Sequence, residues 1–78
     1  MKYRLDVSDA IVTVRPFVEA SWWWEVSHLD GSGESEDADW SPTERGAKIN
    51  ARQTYNYRFN GYGKKAKWLK ESEVPDEI

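Results

Sequence analysis

Residues 40–47 read Trp40-Ser41-Pro42-Thr43-Glu44-Arg45-Gly46-Ala47, and they divide an extended half of the chain from a helical one. Ser41 is placed to accept a hydrogen bond from the backbone of Glu44, and the Glu44 carboxylate to reach back to Ser41. This reciprocal arrangement satisfies two donors of a first helical turn. Pro42 suits the first helical position, where no N–H is needed. Trp40, just before the cap, is expected to staple onto the first turn. The spacing predicts a helix from Pro42 to Arg58, ended by the Asn60-Gly61 pair. At about 100° per residue, Ala47, Ala51, Thr54, Tyr55 and Arg58 share one face. Alanines four residues apart remove bulk, so this face can lie close over a sheet. Ile49 and Tyr57 fall off the stripe.

Upstream, the period shortens to two. Tyr3, Leu5 and Val7 alternate with Arg4 and Asp6, the pattern of a half-buried strand, and Ser8-Asp9-Ala10 interrupts it. From Ile11 to Val18 the chain is rich in β-branched residues, with Ile11, Thr13 and Phe17 on one face and Val12, Val14 and Val18 on the other. Pro16 lacks a ladder donor, which predicts an edge position or a bulge. Residues 22–29 put Trp22, Trp24 and Val26 on one face and Trp23, Glu25 and Ser27 on the other; adjacent tryptophans suit a pleated surface. Residues 30–39 form an acidic, glycine-containing hairpin loop, with Ala38 and Trp40 returning as a short third strand. Trp22, Trp24 and Trp40 are expected to fill the core. Trp23 points the other way, either into core or towards a partner. Residues 64–70 read as a final edge strand or a helical turn. The expected fold class is α+β: a three- or four-stranded antiparallel sheet with one helix packed on one face, in a single domain over residues 1–70. Residues 71–78 form an acidic tail expected to fray.

The composition narrows the chemistry. The chain has 78 residues, no Cys and one His, which excludes a disulfide framework, a thiolate nucleophile and a Cys-based zinc site. Its longest apolar run, Ala20 to Trp24, is broken by Ser21 and falls far short of the roughly 20 residues of a membrane span. The first residues lack the apolar core of a signal peptide. The expected location is therefore the cytoplasm, without membrane contact. His28 is the one histidine and so the one candidate general base of that type, and no nucleophile motif accompanies it. The acids at 34, 36, 37 and 39 lack the spacing of a calcium loop. A non-catalytic protein without metal or cofactor is the expectation.

Charge is sorted along the chain. Residues 1–44 carry a net charge of −7, residues 45–70 carry +8 with no acid, and residues 71–78 carry −4. Arg45, Lys48, Arg52, Arg58, Lys64, Lys65 and Lys67 make up most of the basic block, and Tyr55, Tyr57, Phe59, Tyr62 and Trp68 are interleaved with them. Cations neutralise phosphates and aromatic faces stack on unpaired bases, so these residues are candidates for contact with nucleic acid. The other reading is that the basic block faces the protein's own acids. A second class of partner, a host or phage protein, would meet Trp23 and the acidic hairpin through Glu34, Glu36 and Asp37, carboxylates standing in for phosphates.

The string Trp24-Glu25-Val26 followed by residues 40–47 resembles short β-β-β-α proteins of actinobacterial bacteriophages, over residues 11–58. That resemblance implies a phage origin, a host-cell setting and a function mostly unassigned. The three-strand-plus-helix layout is also similar to the arm-type DNA-binding domains of phage integrases, which present a sheet to the major groove.

Overall fold

The computed structural model describes residues 1–29 and 37–71. The elements run β1 (Tyr3–Leu5), β2 (Ala10–Pro16), β3 (Trp22–His28), β4 (Asp37–Ser41), α1 (Glu44–Phe59) and β5 (Trp68–Lys70). All strand pairs are antiparallel, in the order β4-β3-β2-β1-β5. The expected α+β fold is present, with five strands because residues 68–70 pair with β1 rather than forming a helical turn. Asp6 N–H donates to Lys67 O and Glu71 N–H to Lys2 O, so the β1–β5 pairing is fastened at both ends. Glu71, first residue of the expected tail, also pairs with Arg4 at 2.8 Å.

Alternation decides which face the helix covers. Leu5, Val12, Val14, Trp24 and Val26 are buried beneath Ala47, Ala51 and Tyr55 of α1. The two alanines are fully buried, so α1 rests close on β2 and β3, where a larger side chain would hold it off. Burying each valine or leucine contributes about 1.5–3 kcal/mol. Ile11, Thr13, Trp23, Glu25 and Trp40 face the other way, and no element covers them among the described residues.

Three local expectations change. The helix starts at Glu44 with Thr43 as its cap, the hydroxyl accepting from Gly46 N–H at 3.0 Å. Ser41 instead ends β4, paired with Trp22, and its buried hydroxyl accepts from the Asn50 side chain at 3.0 Å. Trp40 stands opposite Trp23 and so turns to the open face, 56% exposed, neither core nor staple. Pro16 ends a strand in the middle of the sheet; β1 reaches only as far as Val14, so the missing N–H breaks no bond to it.

The helix closes on Asn60, whose φ of 56° is left-handed, a conformation Asn tolerates better than most residues. Gly61 follows because any Cβ there would collide with the Tyr55 ring. The β2–β3 connection is less accommodating. Glu19 and Ala20 are successive left-handed residues with φ of 54° and 64°, where glycine is the low-cost choice. Bonds from Phe17 N–H to Ser21 O and from Ser21 N–H to Val18 O hold the turn.

Candidate nucleic-acid interface

Arg45, Lys48 and Arg52 lie beside the buried Ala47–Ala51 stripe, on the flank of α1 that faces β5. With Glu44, Ile49, Gln53 and Trp68 they line an open groove of about 590 Å³. Arg52 Nη2 donates to Ala66 O at 2.7 Å, and its guanidinium carbon lies 6.0 Å from the centre of the Trp68 ring. Lys48 Nζ contacts Glu44 Oε2 at 2.8 Å and stands 3.7 Å over the Tyr3 ring. The acid precedes the base by one turn, the favoured order for such a helical pair. Arg45 is exposed and has no ion pair among the described residues.

The remaining cations are dispersed. Arg58 Nη1 reaches Asp37 Oδ2 at 3.3 Å, at the far end of the helix. Lys64, itself exposed, reaches Asp9 (3.2 Å) and the Tyr55 hydroxyl (2.9 Å). Lys65 and Lys67 are exposed and, among the described residues, unpaired. The seven candidates thus separate into a cluster of three on one groove, two engaged elsewhere, and two on the segment entering β5 that are unpaired among the described residues. Part of the basic block faces the protein's own acids, as the second sequence reading required; the groove cluster keeps Arg45 available.

The Tyr55–Asp9–Lys64 group is a closed polar knot. The Tyr55 hydroxyl donates to Asp9 Oδ1 at 2.7 Å and accepts from Lys64. The hydrogen bond from Tyr55, joined by that from Lys64, holds the Asp9 carboxyl below its ordinary range. Burial chiefly raises the Tyr55 phenol, and the bonds to Tyr55 and then Asp9 raise the Lys64 ammonium. These shifts follow from a structural latch between α1 and the β1–β2 loop.

The other candidate surface is divided between two faces. Trp23 is half-buried on the open face, with Nε1 donating to Glu25 at 2.8 Å and its ring 5.0 Å from that of Phe17. Asp37 stands opposite Val26, towards the helix, where it meets Arg58. Glu34 and Glu36 lie outside the described residues. His28 packs its ring 5.1 Å from Phe59. No group of three or more His, Asp or Glu among the described residues is arranged to hold a metal ion, and no helix among them is long and apolar enough to cross a membrane.

Sequence reasoning missed Tyr3 as the floor beneath Lys48, although its alternation with Leu5 puts it on the helix side. It also missed the strained turn at Glu19 and Ala20, because neither residue type announces a left-handed backbone. Comparison with family models, with curated proteins and with solved structures gives no match.

Proposed function

We propose that this domain is a non-catalytic nucleic-acid-binding module and that a single strand lies along the groove between α1 and β5. One observation carries the reading: Arg45, Lys48 and Arg52 converge on a groove that Trp68 and Ile49 also line. Cations take phosphates there while an indole face offers a stacking surface for an unpaired base. Binding exchanges Glu44 for a phosphate as the partner of Lys48, so the ion pair lost offsets part of what the phosphate contact gains. Lys65 and Lys67, without an ion pair among the described residues, add charge on the segment leading into β5. The proposed setting, supported by the resemblance of residues 11–58 to phage proteins, is the cytoplasm of an infected cell.

Fluorescence anisotropy with a labelled oligothymidylate of about twelve nucleotides tests this. With three phosphates engaged, log K falls against log salt with a slope of about −2, since each contact on a single strand contributes about −0.7. Arg45→Glu weakens binding and flattens the slope. Binding that ignores both salt and this substitution rejects the groove as the contact surface.

A further inference from the structure

The strained β2–β3 turn borders a second pocket, which shares no lining residue with the α1–β5 groove. It measures about 270 Å³ and is lined by Phe17, Val18, Glu19, Ser21 and Trp40. Its walls are largely apolar and two are aromatic. Glu19 is its one charged lining residue, exposed and without an ion pair among the described residues. Phe17 is steadied by the Trp23 ring, and Trp23 by its bond to Glu25. The nearby cation on the open face is Arg15, opposite Trp23 and outside the pocket lining. A left-handed backbone at two residues other than glycine persists only where its surroundings enforce it, and such strain gathers at binding sites. Here the strained residue supplies the carboxylate.

We propose that this pocket takes the aliphatic ammonium of a lysine side chain presented by a partner polypeptide. A lysine stem covers apolar surface while its head seeks an anion or an aromatic face; this pocket offers Trp40 and Phe17 beside Glu19. Charge complementarity thus selects a cation over a purely apolar or anionic occupant. The occupant is peptidic because Trp40 belongs to β4, which among the described residues is an edge strand with β3 on one side only; the Trp40 N–H donates to Asp39 Oδ1 at 2.8 Å, a bond that pairing would replace. An extended segment that pairs along β4 carries every second side chain past Trp40. This site is independent of the α1–β5 groove.

Two-dimensional amide NMR of the full chain, titrated with acetyl-Val-Lys-Val-amide, tests the proposal. The same peptide with norleucine for lysine, and spermidine, serve as controls. Expected are saturable shifts at the amides of Val18 to Ser21 and at the Trp40 indole, with the lysine peptide binding about tenfold more tightly than its norleucine counterpart. Glu19→Gln removes that difference. Glu19→Gly removes it too while relaxing the turn, so lost binding is separated from lost folding. Arg45→Glu leaves it unchanged, which keeps this result apart from failure of the nucleic-acid reading. Equal binding of the norleucine peptide, absence of shifts up to about 10 mM peptide, or spermidine matching the peptide overturns the proposal.

Discussion

The Tyr55 hydroxyl lies 2.7 Å from Asp9 Oδ1, joining two residues 46 positions apart in the chain. Through that bond the C-terminal part of α1 is tied to the loop between β1 and β2, and Lys64 closes over both. The ring beneath is fully buried core. Removing the hydroxyl alone, as Tyr55→Phe, keeps the packing and leaves Asp9 and Lys64 without a shared partner. The expected cost is about 1–2 kcal/mol by urea denaturation at neutral pH.

Asp9 gives this latch a pH dependence of known sign. Its carboxyl is held below the ordinary range chiefly by the Tyr55 bond, so its contribution is complete above the unfolded-state value and fades as acid protonates the folded form. Urea midpoints measured from neutral pH downwards should fall in the wild type more than in Asp9→Asn. Partial exposure of Asp9 keeps the difference small.

Capping separates Thr43 from Ser41. Thr43→Ala removes the acceptor for Gly46 N–H and costs about 1 kcal/mol. Ser41→Ala removes instead the bond from Asn50, and its effect should disappear in an Asn50→Ala background. A double-mutant cycle reads the difference, with coupling between Ser41 and Asn50 and none between Thr43 and Asn50.

The contact between helix and sheet tolerates little. Ala51→Leu inserts bulk where α1 meets β2 and β3, and the expected destabilisation is about 1–3 kcal/mol or more. Thermal unfolding followed by circular dichroism measures it. Gly61→Ala should show a loss of comparable size, because its new methyl meets the Tyr55 ring.

At the other end of the molecule the sign reverses. Glu19→Gly releases a left-handed non-glycine residue and raises stability by about 1 kcal/mol, against the added freedom glycine gives the unfolded chain. A thermal midpoint that drops instead would show that the Glu19 side chain stabilises the turn.

Much of this fold is legible in the residues because alternation and helical spacing are both sharp. Val12, Val14, Trp24 and Val26 fall on one side by counting in twos, and Ala47, Ala51 and Tyr55 by counting in fours; the structure buries all seven. What counting misses is set by register. Trp40 looks like core until its position opposite Trp23 is known, and Ser41 looks like a cap until β4 is seen to extend through it. Charge pairing is likewise a matter of three dimensions. Asp9 and Lys64 lie far apart in the chain, and so do Asp37 and Arg58, so the basic block reads as unbroken in sequence and is partly neutralised in space. Both Glu19 and Ala20 are ordinary residues held in an unusual backbone, which only coordinates reveal.

The place of β5 beside β1 bears on how the molecule is made. As the polypeptide leaves the ribosome, β1 emerges before its partner β5, and the flank that β5 covers stays unpaired until the residues after α1 follow. During that interval the nascent sheet offers a template to any neighbouring chain, and a fragment cut short after the helix would keep that liability for good.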